Sequence, residues 1–421
     1  MLIMNYKKLQ RLDKTNVKNK VVFLRLDLNV PVINDEITST KRIDAALPTI
    51  NYLLDNGAKV VILSHFRRIK TLEDVVSGKN SLYLVAKELA NKLVGKTNKL
   101  TFIGDNKGSV VESEINNMSS GEVIVLENTR YNDVDENDNL VNLESGCDEE
   151  LSKYWASLCD VFCNDAFGAA HRKHASTYGI GKFAKTSCIG FLMTNEIDTL
   201  SNVIENPTSP FLVIFGGAKV SDKLKAVENV IEKADKVIIS GGMAYTFVAA
   251  QGFDVGLSLV EQDMIPVARE LMEKYPEKLS ISCDFMCAPE FADIEPEYRT
   301  QEEGLEGLMG LDIGKKSIDK FVNEINEANT ILWNGPMGVT EFSEYAKGTN
   351  DVCNAIAQRT NAGAYTVIGG GDSAAAAEKL GKQDSFSFIS TGGGASLALI
   401  EGKELQGIAS IQEKKWYHWW K

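Results

Sequence analysis

The chain has 421 residues, of which 44% are hydrophobic and 24% charged, with a formal net charge of −13. That length exceeds what a single hydrophobic core keeps absorbing, so two domains are expected, and the composition is that of an ordinary globular protein. The acidic balance argues against nucleic acid or an anionic membrane as a bulk partner, while leaving room for a local basic pocket.

At the N-terminus, "MLIMNYKKLQRLDK" starts with too short an apolar run for a signal peptide, and no later run reaches membrane-spanning length. A cytoplasmic location and no membrane partner are therefore expected. The seven cysteines, odd in number and mostly in apolar runs, fit a reducing compartment. Cys159/Cys163 and Cys283/Cys287 lack a second ligand pair at zinc spacing and read as core thiols.

Strand-like runs then follow in order, each with a helix-like stretch behind it: "KVVFLRLDL", "AKVVILSH", "EVIVLEN" and "CDVFCND" in the first half. "PFLVIFGG", "DKVIISGG", "TILWNG", "YTVIGGG" and "FSFIST" continue the series in the second. Short β-branched runs alternating with amphipathic helices predict βαβ units and mainly parallel sheets. Ligands of such sheets sit beyond the carboxyl ends of the strands. Between the halves, "GFLMTNEIDTLSNVIENPTSP" (Gly190 to Pro210) predicts a helix ending in a Pro-containing loop, and the domain division is expected there.

The strand ends differ between the halves. In the first they carry Asp27 and Asn29, then His65 and Arg68, then Arg130, then His171, Arg172 and His174; with Arg42 they form a basic, His-rich mouth. A convergence of cations in an acidic chain calls for a small, multiply anionic, phosphorylated ligand, for which Arg offers bidentate capture. In the second half the strands end in glycine: Gly216-Gly217, Gly241-Gly242, Asn334-Gly335-Pro336, Gly369-Gly370-Gly371-Asp372 and Gly392-Gly393-Gly394. Each such loop can either pack closely or turn bare backbone N–H groups at a helix N-terminus toward phosphate. Neither G-x-x-x-x-G-K-[ST] nor a convincing G-x-G-x-x-G is present, which excludes the common P-loop and dinucleotide fingerprints.

Lys219, just past a glycine turn, is expected at the start of a helix, with Lys223 on the same face four residues on; both suit phosphate. Asp372 could cap the next helix or hold Mg²⁺. No general base with an orienting partner is evident; if the acceptor is a carboxylate, already ionised at neutral pH, none is required. The pattern points to a phosphotransferase that closes around its substrates, with a non-catalytic binding protein and a Rossmann dehydrogenase as the competing classes.

These residues resemble the phosphoglycerate kinase family from about Tyr6 to about Ile408, through "RLDLNVPV", "KRIDAALPTI", "LENTRY", "NDAFGAAHRKHAST", "FGGAKVSDKL", "SGGMAYTF", "ILWNGPMGVTEF", "IGGGDSAAAAEKL" and "STGGGASLALIEG". The resemblance implies two Rossmann-like α/β domains with mainly parallel sheets facing each other across a cleft, joined by a hinge helix. It implies a phosphoglycerate-binding domain over 1–190, on which 400–421 packs back, and a nucleotide-binding domain over 191–399. The implied reaction moves the acyl phosphate of 1,3-bisphosphoglycerate to MgADP, giving 3-phosphoglycerate and MgATP, reversibly, in a monomer.

By the same resemblance Asp27, Asn29, Arg42, His65, Arg68, Arg130, His171 and Arg172 bind the phosphoglycerate. Arg42 and Lys219, with Gly393 and Gly394, act on the phosphoryl group in flight. Gly217, Ala218, Lys223, Gly241, Gly242, Gly310, Asn334, Pro336, Glu341, Gly370, Gly371 and Ser373 line the nucleotide site, and Asp372 holds the metal.

Three departures from the family pattern stand out. "SHFRRIK" carries Arg67 where the family has a turn glycine, and Ile69 where it has proline. Arg disfavours φ > 0, so this change bears on the placing of His65 and Arg68, while activity is still expected. Ala169 replaces a threonine and Lys315 a proline. The aromatic tail "QEKKWYHWWK" (Gln412 to Lys421) does not resemble the family's ending and is expected to pack on the first domain.

Overall fold

The computed structural model describes residues 6–414, and these form two compact units. One is the described part of Met1–Ile197 together with that of Glu404–Lys421; the other is Asp198–Lys403. The division falls inside the helix Phe191–Glu205. Seven of the ten tail residues, 415–421, lie outside the described range, so the expectation for the tail's tryptophans does too.

In the first unit six strands form one wholly parallel sheet: β1 (Val21–Arg25), β2 (Lys59–Leu63), β3 (Lys99–Ile103), β4 (Glu122–Leu126), β5 (Val161–Asn164) and β6 (Ser187–Ile189). Their spatial order is β3-β4-β2-β1-β5-β6. Helices cover both faces, which is why β1 and β2 are almost continuous apolar runs; Val22, Phe23, Leu24, Val60, Val61 and Ile62 are fully buried. The edge strand β3, "KLTFI", is mostly half-exposed, and its weaker pattern escaped the sequence reading.

The second unit repeats the plan. Here β7 (Phe211–Phe215), β8 (Lys236–Ile239), β9 (Leu279–Ile281), β10 (Thr330–Asn334), β11 (Tyr365–Ile368) and β12 (Phe388–Ile389) run parallel in the order β9-β8-β7-β10-β11-β12. A small antiparallel sheet of Asp284–Ala288, Glu297–Thr300 and Met309–Ile313 is added to it, which periodicity alone did not reveal.

In both sheets the strand order reverses next to the first strand of the unit, between β1 and β5 and between β7 and β10. Side chains beyond the carboxyl ends at such a switch point have no crossover helix above them, and a crevice opens there.

The C-terminal segment belongs to the first unit. Asn164 donates to the carbonyl of Gly407 at 2.9 Å, Ser410 to that of Tyr178 at 2.6 Å, and the amide of Lys414 to the carbonyl of Lys8 at 2.7 Å.

Candidate active site

At the β1/β5 switch point of the first unit lies a cavity of about 220 Å³ lined by Asp27, Asn29, Arg42, His65, Arg67, Arg68, Arg130, Gly168 and Arg172. Five guanidinium groups thus face one carboxylate. Asp27 is spoken for: its Oδ2 stands 2.7 Å from Arg42 NH1, on the first turn of the helix Lys41–Asp55. The remaining positive charge has no counter-charge on the wall, the condition for holding a highly charged anion. Gly168 was not singled out from sequence. A Cβ there would lie 2.1 Å from Asp27 Oδ2, so only glycine admits the carboxylate at this point.

His65 is only 6% exposed, and Arg25 behind it is fully buried. Arg25 NH2 lies 3.1 Å from His65 Nδ1. A guanidinium only donates, so Nδ1 accepts and the imidazole proton sits on Nε2. Burial, then the charges of Arg25 and Arg130, hold His65 well below the ordinary histidine range. It is therefore a neutral donor.

Arg25 Nε donates to Ser176 Oγ at 2.7 Å, and Ser176 Oγ donates to the buried Glu144 at 2.5 Å, so Ser176 links Arg25 to Glu144 beneath the pocket. Neither Arg25 nor Glu144 was assigned a role from sequence. Glu144 sits in a loop with no motif around it. His171 is not among the lining residues. Its Nε2 accepts from Arg172 Nε at 3.0 Å, and burial first, then the Arg172 charge, lower its pKa, so it steadies Arg172 as a neutral partner.

The "SHFRRIK" loop keeps its turn despite the arginine. Arg67 does adopt a left-handed backbone, φ +51°. Its amide donates to Asn29 Oδ1 at 2.9 Å and its carbonyl accepts from Arg130 NH1 at 2.7 Å, so the turn is kept and the pocket with it.

In the second unit the loops beyond β7, β8, β10 and β11 lock together. The amide of Gly217 donates to the Pro336 carbonyl at 3.1 Å, that of Met243 to the Gly217 carbonyl at 2.9 Å, and that of Gly335 to Ser373 Oγ at 2.7 Å. Asn334, 3% exposed, spends its side-chain amide on the Gly369 carbonyl at 3.0 Å. Several glycines serve this packing: a Cβ at Gly216 would lie 1.9 Å from the Pro336 carbonyl oxygen, one at Gly241 2.6 Å from the Gly217 nitrogen, and one at Gly242 3.0 Å from the Ala218 carbonyl oxygen. Gly393, which opens the helix Gly393–Ile400, packs against Gly371, with a Cβ 3.0 Å from the Gly371 nitrogen. Gly371 itself faces open space, and with Gly370 as N-cap it opens the helix Gly371–Lys379. Close packing and exposed amides therefore coexist in one loop cluster.

The two lysines do not share a helix, contrary to expectation. The glycine turn after β7 delays the helix to Leu224–Ile231, leaving Lys219 exposed in the loop and Lys223 as the N-cap. Lys223 turns inward, its Nζ donating to the carbonyls of Gly216 at 2.6 Å and Asn334 at 2.8 Å, which ties β7 to β10 at their switch point. Burial pushes it down to about 8, partly offset by Asp372 and then Asp222.

Gly310 and Glu341 lie away from this lock. Gly310 is in the antiparallel sheet under Tyr245, and Glu341 is exposed beside Phe342, both bordering the apolar cluster of Met309, Leu311, Val339 and Phe342.

A pocket of uncompensated arginines on one parallel-sheet unit and a lysine-tied set of glycine loops on the other define an α/β kinase that handles two phosphorylated substrates. Residues 12–403 match the family model described as phosphoglycerate kinase. The chain is 51% identical to the phosphoglycerate kinase of Enterococcus faecalis over 95% of its length and 98% of the relative's. It is 48% identical to that of Mycoplasma genitalium over 98% and 100%. The solved phosphoglycerate kinase of Coxiella burnetii superposes with a TM-score of 0.81 at 34% identity, covering 96% of this chain and 98% of that one. The chain belongs to the phosphoglycerate kinase family.

Proposed function

We propose that the arginine pocket of the first unit takes the phosphoglycerate and the glycine loops of the second take the nucleotide. The chain is a phosphotransferase with a carboxyl acceptor, and the reaction is the reversible, glycolytic transfer between 1,3-bisphosphoglycerate and ADP. In the direction of ATP formation a β-phosphate oxygen of ADP attacks the acyl phosphorus. The bond from phosphorus to the acyl oxygen breaks, and its electrons leave with the carboxylate. No proton moves, so no general base is needed, and none of the described histidines is placed to be one.

In this reading Arg42 and the exposed Lys219 carry the charge of the transferring group, with the amides of Gly393 and Gly394. Asp27, Asn29, His65, Arg68, Arg130 and Arg172 hold the phosphoglycerate. Gly217, Ala218, Lys223, Gly241, Gly242, Asn334, Pro336, Gly370, Gly371 and Ser373 surround the nucleotide phosphates, and Gly310 and Glu341 its base and ribose.

Among the described residues no three His, Cys, Asp or Glu side chains gather into a metal site. A lone exposed carboxylate, Asp372, stands in the first turn of Gly371–Lys379. That donor set fits Mg²⁺, which takes one or two carboxylates and finds its other ligands in phosphates and water. When bound, the ion supplies charge neutralisation along the nucleotide phosphates. All seven cysteines are free, consistent with the proposed cytoplasmic location, and both anion sites belong to one chain, so the monomer is proposed as the working unit.

The observation that carries the reading is the excess of five guanidiniums over one carboxylate at the β1/β5 switch point. It is tested by a coupled assay with MgATP and 3-phosphoglycerate, reading acyl phosphate through glyceraldehyde-3-phosphate dehydrogenase and NADH loss. Turnover is expected. Folded protein that binds both substrates singly and turns over neither would overturn the reading.

A further inference from the structure

Arg67 is the residue of the pocket wall whose presence its backbone does not explain. At φ +51° a side chain is strained, and glycine would supply the same amide to Asn29 and the same carbonyl to Arg130 without strain. The side chain must therefore be doing something in return. It is not left to wander. Arg67 NH2 donates to the Val32 carbonyl at 2.7 Å, and its guanidinium carbon stands 5.5 Å from the centre of the Phe66 ring. Phe66 in turn is only 4% exposed and is bracketed by Asn128, which accepts from its amide at 3.0 Å and donates to its carbonyl at 2.7 Å.

A long, charged side chain on an exposed residue is thus pinned along a cavity wall by a carbonyl and an aromatic face. The bond to Val32 uses one of the five N–H groups of a guanidinium, and pinning removes much of the rotamer entropy that binding would otherwise cost.

We propose that Arg67 is a specificity-determining residue, a preset cation on the pocket wall that adds a charge-assisted contact to a phosphorylated carboxylic acid. This rests on the pocket being the phosphoglycerate site. It also turns the strain into part of the site: the left-handed turn aims the side chain along the wall while its two backbone bonds hold Asn29 and Arg130.

The test compares Arg67→Asn and Arg67→Lys with wild type. Asn tolerates the left-handed region and so keeps the turn while removing the charge. Lys keeps the charge on the same stem. 3-Phosphoglycerate alone is titrated calorimetrically at low and raised ionic strength, and the full reaction is assayed. For Arg67→Asn the affinity for 3-phosphoglycerate is expected to fall about tenfold, the size of one charge-assisted contact, with a weaker dependence on salt. KM for 3-phosphoglycerate should rise in step, with kcat and KM for MgATP within about twofold. Arg67→Lys should keep most of the affinity and the salt dependence. Arg67→Asn indistinguishable from wild type, or Arg67→Lys as weak as Arg67→Asn, would overturn the role of Arg67 alone. Wild-type protein that binds no 3-phosphoglycerate would overturn this role and the reading of the pocket together.

Discussion

The two units use one sheet plan and place a site at the same topological position, yet they build it from opposite materials. Beyond β1 and β5 the site is made of side chains: Asp27, Arg42, Arg130 and Arg172 project from strand ends and a helix start around a cavity. Beyond β7 and β10 it is made of backbone: glycine loops press on one another, and one inward lysine, Lys223, joins the two strand ends through their carbonyls. A side-chain site can be charged strongly and needs buried support, here Arg25 and Glu144. A backbone site supplies N–H groups at fixed positions and needs close packing to keep them fixed. The difference matches what each is proposed to hold, a compact acid phosphate in one case and a chain of phosphates in the other.

The comparison breaks most visibly at Lys219, the exposed cation of the glycine side. Lys219→Ala is expected to lower turnover on the order of 10³-fold, the scale of one transition-state charge contact, while MgADP affinity stays within a few-fold. Unchanged turnover in the coupled assay would remove Lys219 from the reaction.

Acid should distinguish the units next. The described histidines all lie in the first unit, and burial first, then Arg25 and Arg130, pushes His174 down to about 3. Its folded pKa lies below its unfolded value of about 6.5, so below that pH the unfolded chain binds a proton that the folded one refuses. Stability contributed by each such histidine is full above pH about 6.5 and falls by about 1.4 kcal/mol per pH unit from there toward 3. His174→Gln should flatten the fall of the urea midpoint between pH 6.5 and 4.5 by about one proton. A slope identical to wild type would mean that His174 already charges in the folded state.

The smallest effect sharpens the other side. Lys223, pushed down to about 8 by burial, should regain its proton when nucleotide phosphates arrive. MgADP binding near pH 8.5 is then expected to take up a fraction of a proton, seen as a difference in calorimetric heat between buffers of unlike ionisation enthalpy, and Lys223→Met should abolish it. Equal heats for wild type in both buffers would contradict this.

How much of this the sequence disclosed follows the same divide. The long parallel strands and the arginine-rich ends were legible, because a strand buried on both faces writes a continuous apolar run and an arginine in a strand-end loop is conspicuous by type. The edge strand β3 was not, because its pattern is half-exposed and mixed; nor were β6 and β9, three residues each and too short to show a period, nor the antiparallel sheet. Glycine was ambiguous in principle: Gly216 and Gly241 permit loop packing and Gly371 faces open space, and nothing in "GG" tells these apart. The separation of Lys219 from Lys223 was also hidden, because a glycine turn does not announce how late its helix begins. The supporting roles of Arg25, itself visible as a strand-end charge, and of Glu144 escaped for another reason, as their partners, His65 and Ser176, lie 40 and 32 residues away along the chain.

The central claim, that each unit holds its own anion, is tested most directly by titrating 3-phosphoglycerate and MgADP separately into wild type and Arg172→Ala. Arg172 is exposed on the pocket wall, and its described side-chain hydrogen bond goes to His171 while its backbone bonds to Ala169 and Thr177 survive truncation, so the variant should fold. The affinity for 3-phosphoglycerate is expected to fall at least tenfold, on the scale of one lost charge-assisted contact, with MgADP affinity within twofold of wild type. A matching loss for both ligands, or a loss confined to MgADP, would contradict the division of labour between the two sites.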